Sequence, residues 1–172
     1  MYIFVLQWPP AVKAALGAGV SVPFGKLFSC FMVCCMLGST TFAYLSRTVA
    51  AEDVMSGMLL VATTAMAAAT TLGVPTGAIV PLIASFFAFE ACVGMYFPSI
   101  GTLRSRYVPD SHRSVIMNLF GIPLNLLVIS VFLSIRRLGV SGALRVATGA
   151  LGLATSAAAA LVYLTRDAAT TE

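Results

Sequence analysis

The sequence predicts an all-α protein that crosses a membrane several times, and three observations point there. Apolar residues make up 59% of its 172 positions and charged residues 9%, against about 25% charged in soluble domains. Mean hydropathy is +0.98. The few charges gather between long uncharged runs, as loop residues do when they flank spans of about 20 residues. The chain, 1–172, is therefore read as a single transmembrane helical bundle with five complete spans and one partial span. That leaves no room for a sizeable soluble domain.

The partial span is 1–10. Met1 to Trp8 is apolar and stops at Pro9-Pro10, about 12 Å of helix at 1.5 Å per residue, well short of a hydrocarbon core of about 30 Å. It reads as the last turns of a span that begins elsewhere. Lys13 follows this run and no basic residue precedes it, the wrong order for a secretory signal. Lys13 to Lys26 is a loop rich in Gly and Pro, and the first full span, 27–46, lies uncharged between Lys26 and Arg47. Glu52 and Asp53 suit the positive N-terminal end of a helix, so the second span follows at 54–73.

The uncharged run then continues to Glu90, too long for one crossing, and Gly73-Val-Pro-Thr-Gly77 supplies the turn that divides it. The third span covers 77–103. Pro98 removes the hydrogen bond to the carbonyl of Gly94, so a kink is expected there. Asp110 or Ser111 is placed to cap the fourth span, 113–135, which Arg136-Arg137 close. Pro123, with Gly121 beside it, is a second expected kink. The fifth span, 146–165, lies between Arg145 and Arg166.

Spans two and five consist of Ala, Thr, Gly and Ser with aliphatics. In the fifth, Thr148, Gly152, Ser156 and Ala160 recur at four-residue spacing, a seam suited to close helix contact. Both are expected to be structural. If loops alternate sides, Arg47, Arg104, Arg106, Arg113 and Arg166 share one face, while Lys13, Lys26, Arg136, Arg137 and Arg145 share the other. Equal numbers give no orientation by the positive-inside rule. The denser basic loop with Arg104, Arg106 and Arg113 favours its own side as cytoplasmic.

Spans three and four carry the groups capable of chemistry. Glu90 lies deep in an apolar run, where an ionisable group costs roughly 2.5 to 3.5 kcal/mol on insertion scales and therefore faces a cavity or a partner. No Lys or Arg shares its depth. Three roles fit it: a proton-coupled step, a buried protonated hydrogen bonder, or a salt bridge to a segment outside this chain. Ser114, Asn118, Gly121 and Asn125 form one helical stripe. Its two Asn residues either bond to neighbouring helices or line a cavity with Glu90.

Enzyme chemistry finds no support. The single histidine, His112, sits in the basic loop, no Gly-rich phosphate loop occurs, and no second carboxylate accompanies Glu90. No catalytic residue, metal site or cofactor is expected. Cys30, Cys34, Cys35 and Cys92 lie inside apolar runs without ligand spacing. The net charge of +4 comes from span-flanking Lys and Arg, so the expected partner is the lipid bilayer and not nucleic acid.

Five stretches resemble the molybdate-anion transporter branch of the major facilitator superfamily: YIFVLQWPPA from Tyr2, FMVCCMLGS from Phe31, FEACVGMYFPSI from Phe89, LRSRYVP from Leu103 and SVIMNLFGIPLN from Ser114. The resemblance covers nearly the whole chain. It implies the C-terminal six-helix half of a twelve-helix carrier, from the end of helix seven to helix twelve. Glu90 then falls on helix ten, the Arg104 to Arg113 loop is cytoplasmic, and helices nine and twelve are peripheral. It further implies a small-molecule anion such as molybdate as the solute, the plasma membrane as the site, and an N-terminal half missing from this chain as the partner. In such carriers the solute sits near the midplane between two halves that rock for alternating access. One departure stands out: Gly121 occupies the position of an arginine in the family pattern, on the stripe that holds Asn118 and Asn125. The alternative, from another class, is a truncated or diverged membrane protein that packs with a partner chain and transports nothing.

Overall fold

The computed structural model describes residues 1–17, 19–109 and 113–171. Among the described residues all regular structure is helical: α1 Tyr2–Leu16, α2 Phe24–Leu45, α3 Ala51–Ala68, a π-helical turn Ala69–Gly73, the short α4 Val74–Thr76, α5 Ile79–Tyr107, α6 Arg113–Leu133 and α7 Ile135–Thr171. Five of these segments are long and apolar enough to cross a membrane: α2, α3 with its π turn, α5, α6 and α7. The fold is thus an all-α membrane bundle.

α1 continues as helix through Pro9 and Pro10 to Leu16, further than the two prolines suggest. Each proline removes one donor, toward the carbonyls of Val5 and Leu6. The turn beyond them buries Ala11 and Val12 completely or nearly so, and that packing holds the helix together. At 15 residues, α1 is about 22 Å long.

Aromatic rings fasten α1 to the bundle. Phe4 meets Phe89 at 4.7 Å and Phe86 at 5.1 Å between ring centroids, and Trp8 meets Phe31 edge-on at 5.1 Å. Such pairs add about 0.5–1.5 kcal/mol each beyond burial. Burial in lipid gains little, so this contact geometry is what favours association.

α2 and α5 approach to backbone contact. A Cβ on Gly38 would overlap the carbonyl of Ala91, and one on Gly94 would overlap the carbonyl of Cys35. Glycine at both positions lets the two backbones meet.

The turn expected at Gly73–Gly77 is formed by the π turn and α4, and it ends on Gly77 in the left-handed region (φ 65°, ψ 15°). α5 then continues unbroken past Pro98, and α6 past Gly121 and Pro123. The helical backbone is interrupted at Gly139 (φ 64°, ψ −176°), near the start of α7. The segment 140–145, placed in a loop by its charges, is helical. Its Ala143 and Leu144 are fully buried, which supplies the packing that the charge pattern hides.

α3 packs on both α5 and α7, burying Met55, Met58, Ala62 and Met66. The bland composition of this segment reflects small residues packed on two sides. α6 is the outlying helix, packed mainly on α7 and α1.

Candidate functional site

Glu90 is buried in the middle of α5, at 5% exposure. Its neighbours along the helix, Phe89, Cys92 and Val93, are buried with it, and Gly94 one turn on carries the backbone contact with α2. The space that the missing side chain of Gly94 leaves is occupied by the backbone of Cys35 of α2.

Asn118 and Asn125 are exposed on α6, as is Ser114, and Gly121 between them is half-buried with open space where a side chain would project. The stripe therefore faces outward from this bundle. Most of α6 is similarly bare: Leu119, Phe120, Ile122 and Leu126 are all more than half exposed. The structure does not join Glu90 and the two Asn residues in one cavity. Pro98 is half-buried and Pro123 exposed. Ser99 next to Pro98 is fully buried, and its hydroxyl donates to the Met95 carbonyl at 2.8 Å.

The end of α5 is anchored by a group that sequence reasoning missed. Glu52, placed only as a helix-starting acid, is buried at 5% exposure. Its Oε1 accepts hydrogen bonds from Arg106 Nη1 at 2.9 Å and from the Tyr107 hydroxyl at 2.7 Å. Its Oε2 is buried with no hydrogen-bond partner among the described residues. Beside it, Arg166 Nη2 donates to Asp53 Oδ1 at 2.8 Å. These contacts gather the start of α3 and the ends of α5 and α7 on one face, the grouping expected if loops alternate sides. The usable signal was an acidic pair at one end of a span and basic residues at the matching end of two others.

Arg104 is half-buried. Asp110, Ser111 and His112 lie outside the described residues, as does the side chain of Arg113, the first residue of α6. Gln7, at 3% exposure, is a further buried polar side chain that the reading passed over. It is the one polar residue in the apolar run before Pro9. Among the described residues no cluster of His, Cys, Asp or Glu is arranged to hold a metal ion.

A family model described as sugar transporters, 12 TM, matches residues 1–97. The molybdate-anion transporter of Takifugu rubripes is 31% identical over 134 residues, 74% of this chain and 26% of that protein. The molybdate-anion transporter of Danio rerio is 31% identical over 133 residues, again 74% and 26%. That of Xenopus tropicalis is 26% identical over 134 residues, 74% of this chain and 28% of its own length. The chain thus spans about a quarter of the length of the curated relatives it matches. No solved structure matches it significantly. With more than half of its residues matched to the family model and five helices suited to a membrane, the chain belongs to the twelve-transmembrane sugar-transporter family of the major facilitator superfamily.

Proposed function

We propose that this chain is one helical bundle of a solute carrier, completed by a second bundle, and that the assembled carrier moves a small oxyanion such as molybdate across the plasma membrane by alternating access. The names of its relatives, molybdate-anion transporters, suggest the solute. The observation that carries the reading is the exposed polar stripe on α6, with Asn118 and Asn125 on an otherwise apolar helix. Amide groups facing hydrocarbon lose hydrogen bonds to water without replacement, so the stripe calls for a companion surface and a polar path between the two. The amide N–H groups of the two Asn residues are donors suited to an oxyanion.

Glu90 takes the proton-handling role in this proposal. Moving one negative charge into a negative-inside cell costs about 2.3 kcal/mol per 100 mV, and a co-transported proton offsets one such charge. A carboxyl buried beside the crossing of α2 and α5 can bind and release that proton as the bundle rocks. Oxyanion uptake by the chain together with an N-terminal half tests this. Wild-type uptake is expected to vary with pH, and Glu90→Gln to abolish that variation while membrane insertion stays normal. Unchanged pH dependence in Glu90→Gln removes the residue from the mechanism.

A further inference from the structure

We propose that the end of the bundle carrying Lys13, Lys26, Arg137 and Arg145 is an electropositive vestibule that gathers small oxyanions as they enter, a role that rests on the chain's being part of an oxyanion carrier. Segments 11–26, 73–79 and 134–145 hold Lys13, Lys26, Arg136, Arg137 and Arg145 and not one Asp or Glu. The opposite end has as many bases, but acids stand among them: Glu52 pairs with Arg106 and Asp53 with Arg166. One end of this chain therefore carries an unopposed positive field.

The helices bring these segments together. Lys13 lies in the last turn of α1, with its Nζ 5.5 Å from the ring centre of Phe24 at the start of α2. The turn at Gly77 closes on the same place, where an added Cβ would lie 3.5 Å from the Ala15 carbonyl. Lys26 stands as far before Arg47 as Arg145 does before Arg166, about 32 Å of helix. The Arg166–Asp53 pair holds the far end of α7 at the start of α3, so Arg145 and Arg137 lie toward the other end. All four side chains are exposed. Beside Lys13 an open concavity of about 700 Å³ is lined by Gly17, Gly19, Val20 and Ser21, room for an oxyanion together with water at about 30 Å³ per molecule.

Anchoring the spans does not require this bias. Orientation follows Lys and Arg, with little contribution from Asp and Glu, and by that count the two ends are equal. What the missing carboxylates change is the field. A cleft of one sign raises the local concentration and arrival rate of opposite charges by about 10- to 1,000-fold, an effect that salt removes.

The first test uses the full chain in neutral detergent, with Cys30, Cys34, Cys35 and Cys92 replaced by Ser or Ala. Ser21→Cys reports on the vestibule, and Val49→Cys, exposed at the opposite end, is the reference. The rate with an anionic methanethiosulfonate, divided by that with a cationic one, is expected to be on the order of tenfold higher at Ser21→Cys. The difference is expected to vanish between about 0.01 M and about 1 M salt, as the Debye length falls from about 30 Å to about 3 Å. Equal ratios at low salt overturn the proposal whether or not the chain transports.

The second test is molybdate uptake by the chain with an N-terminal half in phosphatidylcholine vesicles. Lys13→Gln, Lys26→Gln and Arg137→Gln together are expected to raise KM on the order of tenfold with the maximal rate unchanged. Lys13→Arg, Lys26→Arg and Arg137→Lys together are expected to keep the wild-type KM. An unchanged KM in the Gln variant, with uptake intact, overturns the proposal. So does an effect that appears only when phosphatidylglycerol is added, since the charges then serve lipid headgroups. A wild-type assembly that takes up no oxyanion refutes the carrier reading itself, and the entrance with it.

Discussion

Gly38 of α2 and Gly94 of α5 form a reciprocal pair, each occupying the one place where a Cβ would collide with the backbone of the opposite helix. Gly94→Ala is expected to destabilise the bundle by about 1–3 kcal/mol, because the colliding group is a carbonyl and cannot rotate away. Gly101→Ala, on the same helix with open space around it, is expected to be neutral or to stabilise by about 0.5–1 kcal/mol. Unfolding of both variants in mixed micelles separates the two cases. Equal effects would mean that α2 and α5 do not touch through glycine.

The Glu52 carboxylate accepts both bonds at once through one oxygen, so its two donors share one acceptor atom. Tyr107→Phe is expected to cost about 1.5–3 kcal/mol, the scale for a bond to a charged group. Arg106 is 63% exposed on its side chain, and the Coulombic part of its pair is screened by solvent and salt. Arg106→Lys is thus expected to be milder than Tyr107→Phe and to weaken further in high salt. A double-mutant cycle between the two positions measures this, and additive effects would argue against a shared acceptor.

Thr63 and Thr155 join α3 to α7 with hydroxyl oxygens 2.8 Å apart. Thr155→Val is expected to cost about 0.6 kcal/mol, the average for such bonds between membrane helices. Pairing it with Thr63→Val should add almost nothing. A full second loss would place the two hydroxyls in separate interactions.

At the stripe on α6, Gly121→Arg places a guanidinium between Asn118 and Asn125 in space that is open. It is expected to insert normally in the presence of an N-terminal half and to tighten oxyanion binding, since Arg pairs bidentately with such anions. Asn118→Ala is expected to weaken binding with no loss of insertion. Binding of radiolabelled molybdate to the purified assembly reads both. An unchanged affinity in each variant would take the stripe out of the solute path.

The helical class and the positions of the long helices were legible because uncharged runs bounded by charge carry that information locally. The turn at Gly73–Gly77 was legible from its glycines and proline, since only glycine is at ease at the φ of Gly77. Local pattern failed where packing overrides it. Pro9 and Pro10 do not end α1, because Ala11 and Val12 are anchored beyond them. Arg136, Arg137 and Arg145 marked a loop, yet Ala143 and Leu144 pack within a helix there. Pairings across the bundle, such as Gly38 with Ala91 or Glu52 with Tyr107, have no periodicity to reveal them. Glu90 was legible as a buried acid from its depth alone, but the backbone approach of α2 one turn away at Gly94 was not.

The central claim is that the polar stripe of α6 faces a second bundle across a watery path. Asn118→Cys, in a background with Cys30, Cys34, Cys35 and Cys92 replaced by Ser or Ala, measures it directly when expressed with an N-terminal half. The account predicts labelling by a membrane-impermeant maleimide from the aqueous phase, slowed when molybdate is present. Labelling by lipid-soluble reagents alone, with molybdate having no effect, would contradict it.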